Sequence, residues 1–126
     1  FLIVKPIIES YFGQPVGQRL LCLGCGNSSL AADLHELGYQ YLTSIDISST
    51  VIALMQQQYQ GKEGLEFVVA DARKMDSFPD EAFDCILDKG CADSLFCGFR
   101  SIEDVLDMIQ EVSRLLRPGG VFLSIS

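Results

Sequence analysis

Basic residues are scarce in this chain. Nine Lys and Arg stand against 17 Asp and Glu, which gives a formal net charge of −8 over 126 residues. The basic residues are scattered, and Arg73 with Lys74 is their only close grouping. Proteins that bind nucleic acid through its phosphates carry a basic patch, so we expect no nucleic-acid partner and no binding to anionic membranes. An acidic surface suits a small molecule or a basic protein partner, and it does not separate the two.

Long hydrophobic runs are also missing. No stretch approaches the roughly 18–20 apolar residues of a membrane span, and residues 1–4 are too short and uncharged at the start for a signal peptide. The chain does not begin with Met and stops at Ser126 inside a predicted strand. We therefore expect one domain over residues 1–126, truncated at both ends, in a cytoplasmic protein.

A second pair of metal ligands is missing as well. Cys22 and Cys25 form a C-x-x-C pair, but Cys91 and Cys97 are six apart and the only histidine is His35. A structural zinc site needs four ligands at suitable spacing, so we expect no metal. The alternative is that the strand cysteines are small apolar fillers.

The hydrophobic pattern alternates between short apolar runs and helical repeats. Such alternation, with strands apolar throughout, is typical of an α/β fold with a doubly wound, mostly parallel sheet. Helices are predicted before residue 13, after Gly26, after a cap at Ser48 or Ser49, and after Ser101, and residues 90–100 are predicted to be loop with a helical turn. Ile102, Val105, Leu106, Ile109, Val112, Leu115 and Leu116 are predicted to form the apolar face of the last helix. Strands are predicted over 19–23, 41–46, 65–71, 83–88 and 121–126.

Four of these strands end in residues suited to ligand binding. Ligands of open parallel sheets lie outside the carboxyl ends of the strands. The first strand runs into Gly24 and Gly26, where a chain without Cβ atoms can approach a ligand. The next three end on Asp46, Asp71 and Asp88. Asp46, 22 residues beyond Gly24, can accept the hydroxyl hydrogens of a ribose, and Asp71 can accept an adenine amine. We infer a nucleoside-containing ligand.

Two nucleotide-binding motifs are incomplete or absent. The third glycine of G-x-G-x-x-G is replaced by Ser29, which disfavours NAD or FAD, and no G-K-[ST] phosphate loop occurs. The nature of the nucleoside stays open on these residues alone.

The segments "LCLGCGNSSL", "SIDIS", "VVADARKM", "FDCILDKG" and "RLLRPGGVFLSIS", in this order, resemble class I S-adenosylmethionine-dependent methyltransferases. "GCGNS" and "DKG" are most similar to the branch that includes lysine methyltransferases of elongation factor 1-alpha and of citrate synthase. The resemblance implies a Rossmann-like methyltransferase core with five strands present and the last two of the family fold missing. Many class I enzymes carry an acid at the position of Cys22, which often supports the glycine turn from below.

The resemblance also implies roles for single residues. Gly24, Gly26 and Asn27 would line the methionine part of S-adenosylmethionine, and Asp46 would hold the ribose. Ile47 would lie beside the adenine, whose edge would be contacted by the Asp71 side chain and the Ala72 backbone amide. Asp88 and Lys89 would lie by the reacting end. The cofactor would leave as S-adenosylhomocysteine.

Three functions remain open. The first is methyl transfer to a protein lysine, with Asp88 as the candidate catalytic residue that orients the cofactor or the substrate amine, and Asp93 as a second candidate. The alternative for Asp88 is a cofactor or loop hydrogen bond without proton transfer. The other two functions are methyl transfer to a small molecule and cofactor binding without catalysis. The oligomeric state is not predicted.

Overall fold

Five strands and four helices make up the part of the chain that the computed structural model describes, residues 5–26, 28–89 and 101–125. The expected alternation of strands and helices is confirmed. The helices are α1 Lys5–Phe12, α2 Leu30–Glu36, α3 Ser49–Gln58 and α4 Ser101–Leu115. The strands are β1 Arg19–Leu23, β2 Tyr41–Asp46, β3 Leu65–Val69, β4 Phe83–Lys89 and β5 Leu116–Ile125.

All five strands pair in parallel in one sheet, in the order β3-β2-β1-β4-β5. The chain winds outward from β1 through β2 to β3, then returns to the other side of β1 with β4 and β5. This is the doubly wound arrangement expected from the sequence, with the change of direction between β1 and β4. Within the described ranges, no helix is long and apolar enough to cross a membrane.

The sheet is buried on both faces. In β1, Leu20 and Cys22 pack with α1 and α2 on one face, whereas Leu21 and Leu23 pack against α4 on the other. Successive side chains of a strand point to opposite faces, so a strand covered on both sides has to be apolar throughout. The continuous apolar run of β1 follows from this geometry.

Three strand boundaries differ from the predicted ones, the first by a single residue, since β4 ends at Lys89 and not at Asp88. β3 ends at Val69, so Asp71 lies in the turn beyond it and not at its last position. α4 ends at Leu115, and β5 begins at Leu116 rather than at residue 121. Phe83 pairs with Leu116 and Cys85 pairs with Val121, so an irregularity in the ladder absorbs the residues between them. The prediction for residues 90–100 lies outside the described residues.

The predicted apolar face of α4 is only partly right. Val105, Val112 and Leu115 are buried, together with Met108, but Ile102, Leu106 and Ile109 are exposed. The apolar residues form two neighbouring stripes on the helix, and the sheet covers one of them. Spacing of three and four residues cannot tell which stripe that is.

Asp84 fastens the amino ends of three strands. Its carboxylate accepts hydrogen bonds from the backbone amide of Arg19 at 2.7 Å, from Arg19 Nε at 3.1 Å and from Arg117 Nε. The Arg19 and Arg117 guanidinium groups, opposed by partial burial, hold the pKa of Asp84 down at about 2. The cluster of Arg19, Asp84 and Arg117 lies at the amino edge of the sheet, and the glycine turn lies at the opposite, carboxyl edge.

We expect Asp84→Asn to lower the free energy of unfolding by about 2 kcal/mol at neutral pH. Because the pKa is depressed in the folded protein, the stabilisation is present above the unfolded value near 3.8 and is lost as the pH falls through about 2. Urea unfolding of the full-length wild type and variant between pH 2 and pH 7 measures this difference.

Asp76→Asn is the matched control, because Asp76 is exposed and its ion pair with Lys74 is long, 3.7 Å. It should leave the unfolding curve unchanged at every pH. A difference between wild type and Asp84→Asn that persists undiminished at pH 2 would contradict the assignment.

Candidate cofactor site

The glycine turn after β1 lies at the carboxyl edge of the sheet. Gly24 and Gly26 have φ angles of +65° and +52°, a region that residues with a Cβ rarely adopt. A Cβ at Gly26 would meet nothing within 4 Å among the residues that the structure describes. The Cys25 amide donates to the Ile45 carbonyl at 2.9 Å, which holds the turn against β2. Asn27 lies outside the described residues.

Asp46 supports this turn from the end of β2. Its Oδ2 accepts a hydrogen bond from the Gly26 amide at 2.9 Å, and its Oδ1 accepts one from the Ser48 amide at 2.9 Å. Ser48, one of the two predicted caps, caps α3 by accepting from the Val51 amide at 3.2 Å. A carboxylate offers about four acceptor positions, so Asp46 can still accept two hydroxyl hydrogens of a ribose while it holds the turn.

Ile47 follows Asp46 and is one of the exposed large hydrophobic residues, with 67% of its surface accessible. An isolated exposed apolar side chain is ordinary. Here it lies next to Asp46, beyond the carboxyl end of β2, where a flat ring can cover it. The position fits the adenine neighbour that the resemblance implies.

Asp71 lies in the turn after β3, and Arg73 holds its carboxylate. Oδ1 accepts from the Arg73 amide at 2.9 Å and from Nε at 3.0 Å, while Oδ2 accepts from Nη2 at 2.6 Å. The Arg73 guanidinium lowers the pKa of Asp71, against the opposing effect of partial burial. Ala72 is buried beside it, and the Ala70 amide donates to the Asp46 carbonyl at 3.0 Å, so the two turns are joined.

Asp88 is fully buried near the end of β4. It pairs in register with Leu23 and Ser124, and the Ser124 hydroxyl donates to its Oδ2 at 2.8 Å. Lys89, the next residue, is exposed. The structure thus brings Asp88 next to the start of the glycine turn but binds it to β5, while Lys89 lines a cavity together with Gly24 and Cys25.

This cavity of about 80 Å³ is lined by Cys22, Cys25, Ser44 and Lys89, among others. Cys22 and Ser44 are partners in the pairing of β1 with β2. The Ser44 hydroxyl is buried and makes no hydrogen bond of ordinary geometry within the described residues. Cys22 stands where many class I enzymes carry an acid. The cavity is therefore lined there by a neutral thiol, with the Ser44 hydroxyl beside it on β2.

The described residues fit a nucleoside. No described residue beyond its chain neighbours lies within 4 Å of the place of a Cβ at Gly26, Asp46 keeps two acceptor positions, and Ile47 offers an exposed apolar surface beside it. Sequence reasoning gave no role to Arg73, which it noted only as a basic neighbour of Lys74, and missed Asp104, whose carboxylate Arg73 also binds. The D-x-R spacing signals the first contact locally, but nothing local signals the second.

The cysteines at the turn are protonated thiols. Burial raises the pKa of Cys22 to about 12 and that of Cys25 to about 11, with the Asp46 charge adding to the second shift. The cysteines lie in no group of three or more potential metal ligands among the residues described. High pKa values are the reverse of what reactive or metal-binding thiols show.

We expect Cys25 to react slowly with iodoacetamide in the folded protein, because only about one thiol in a thousand is ionised at pH 8 when the pKa is near 11. The rate should rise about tenfold per pH unit, measured by mass spectrometry of the Cys25 peptide. The urea-unfolded protein is the control, where the same thiol titrates near its ordinary 9.0. Equal rates in the two states at pH 8 would refute the shift.

Comparison with known proteins identifies a methyltransferase family. A methyltransferase domain family matches residues 21–124. EEF1A lysine methyltransferase 4 of Mus musculus is 39% identical over 116 residues, covering 86% of this chain and 45% of the relative. The eEF1A lysine and N-terminal methyltransferase of Bos taurus is 37% identical over 112 residues, covering 86% of this chain and 16% of the relative. The chain therefore spans less than half the length of these relatives.

Solved structures agree in fold. A SAM-dependent methyltransferase from Methanosarcina mazei superposes with a TM-score of 0.78 and 28% identity, covering 94% of this chain and 56% of the other. An S-adenosylmethionine-dependent methyltransferase from Mesorhizobium loti gives a TM-score of 0.72 and 25% identity, covering 94% and 50%. Because the family match covers most of its length, the chain belongs to the methyltransferase domain family, and it has the Rossmann-like fold of the S-adenosylmethionine-dependent enzymes.

Proposed function

We propose that the full-length protein transfers a methyl group from S-adenosylmethionine to a lysine side chain of a protein. The observation that carries the proposal is the Asp46 carboxylate, which accepts from the Gly26 and Ser48 amides and keeps about two further acceptor positions. The named activity of the relatives, lysine methylation of eEF1A, supports the acceptor class.

The cofactor-binding residues divide the ligand between the strand ends. In the proposal, Gly24, Gly26 and Asn27 line the methionine part, and the first two have the positive φ angles of the turn. Asp46 accepts the ribose hydroxyls, and Ile47 covers one face of the base. Asp71 and the Ala72 amide take the edge of the base. S-adenosylmethionine bound here would supply a methyl group on a sulfonium: the nucleophile would bond to the methyl carbon in line, and the sulfur would leave as the thioether of S-adenosylhomocysteine.

The remaining chemistry belongs to the protein. Orientation of the two reactants supplies much of the acceleration in such a displacement. Asp88 is fully buried and hydrogen-bonded to Ser124. We therefore assign it to orienting the reacting end of the cofactor, with Lys89 beside it as a residue that lines the cavity. A lysine acceptor has to lose its proton before it attacks. Asp93, the second candidate for the amine, lies outside the described residues.

The proposed partner is a basic region of a protein, because the chain carries a net charge of −8 and opposite charge speeds encounter. We propose no nucleic-acid partner on the same ground. A cytoplasmic location is part of the proposal, supported by free thiols at Cys22, Cys25 and Cys85.

The test of function is methyl transfer by the full-length protein. With S-adenosylmethionine tritiated on the methyl group and a cell lysate, we expect label in one protein band, recovered as methyllysine after acid hydrolysis. Label confined to small molecules would replace the proposal with a small-molecule methyltransferase. Absence of transfer despite cofactor binding would leave a binding protein.

Asp46→Ala is expected to weaken S-adenosylhomocysteine binding by about tenfold or more, because one charge-assisted contact contributes roughly 1.5–3 kcal/mol and the Gly26 amide loses its acceptor. Calorimetry on the full-length protein measures the affinity. Asp76→Asn, an exposed carboxylate distant from the turn in the chain, serves as the control and should bind as the wild type does. Unchanged affinity of Asp46→Ala would remove Asp46 from the site.

A further inference from the structure

The Asp71 carboxylate is almost fully occupied by a single residue. The Arg73 amide and Nε donate to Oδ1, and Nη2 donates to Oδ2, with Nε also 3.2 Å from Oδ2. Of about four acceptor positions on a carboxylate, about one is left, on Oδ2. A carboxylate held by a two-pronged contact cannot rotate freely, so the direction of that last position is fixed.

Arg73 is itself fixed from another element. Its third nitrogen, Nη1, donates to Asp104 Oδ1 at 3.1 Å. Asp104 lies in the first turn of α4 and is only 6% exposed. A buried carboxylate without a partner is costly, so Asp104 keeps the guanidinium in place. The helix after β4 thereby sets the orientation of a side chain after β3.

We propose that Asp104, acting through Arg73, positions Asp71 to select an exocyclic amine on the base of the cofactor. The inference rests on the proposed function. Arg73 and Asp104 are positioning residues, since neither needs to touch the base. An amine donates to the single remaining acceptor, whereas a carbonyl at the same place meets a carboxylate that cannot turn away.

Arg114, on the same helix α4 as Asp104, provides a comparison for Arg73. Arg114 Nη2 donates to the Met75 carbonyl and Nη1 to the Phe78 carbonyl, each at 3.0 Å, and Arg114 Nε binds Glu111 at 2.9 Å. Arg114 therefore binds the loop between β3 and β4 to α4, and among the described residues it makes no hydrogen bond to Asp71. A variant at Arg114 disturbs the packing of the loop and leaves the Asp71 carboxylate bound by Arg73.

The experiment compares two ligands in the full-length protein by calorimetry, S-adenosylhomocysteine and S-inosylhomocysteine, which carries a carbonyl in place of the amine. The wild type should prefer the amine by roughly tenfold or more, as expected for a hydrogen bond to a charged group. Arg73→Gln and Asp104→Ala should reduce this preference to about twofold or threefold, because a carboxylate free to rotate no longer penalises the carbonyl.

Conservative variants and the control separate positioning from stability. Asp104→Asn should retain much of the preference, because its amide oxygen still accepts from Nη1, whereas Arg73→Lys should not, because an ammonium lacks the two-pronged contact. Arg114→Gln should lower the unfolding temperature and keep the preference.

If Arg73→Gln and Asp104→Ala weaken both ligands by the same factor, the inference is overturned and the proposed function stands. If the wild type binds neither ligand, the proposed function falls and the inference falls with it. If the wild type binds both equally, base selection by Asp71 is refuted while cofactor binding survives.

Discussion

β1 is hydrogen-bonded along its length to β2 on one side, and to β4 on the other from Leu20 onward, both in parallel. Parallel pairing places the carboxyl ends of neighbouring strands at one edge. The glycine turn, Asp46 and Asp88 meet there although they are up to 64 residues apart in the chain. Cover on both faces of the sheet makes this pairing stable, and the site is a consequence of it.

The carboxylates at the carboxyl edge of the sheet make hydrogen bonds within the protein. Asp46 accepts two backbone amides, Asp71 binds Arg73, and Asp88 accepts from Ser124. An acidic residue held in this way is oriented before the ligand arrives, which lowers the entropy cost of binding.

The fold was predictable because its signals are local. Apolar runs of strand length, helix caps such as Ser48 and the glycine turn each occupy a few neighbouring residues, and the structure confirms them. The apolar face of α4 was predicted only in part, since Ile102, Leu106 and Ile109 are exposed. Helical periodicity identifies an apolar surface, whereas the sheet decides how much of that surface is covered.

For this protein, the sequence by itself determined the α/β class, the order of elements and the placement of Gly24, Gly26, Asp46 and Asp88 at or just beyond strand ends, because these depend on residue spacing along the chain. Only the tertiary structure decided what each side chain binds. Arg73 and Asp104 are 31 residues apart in the chain. Cys22 of β1 pairs with Ser44 of the adjacent strand β2. Such contacts depend on how a helix lies on the sheet and on strand register, and no local pattern encodes either.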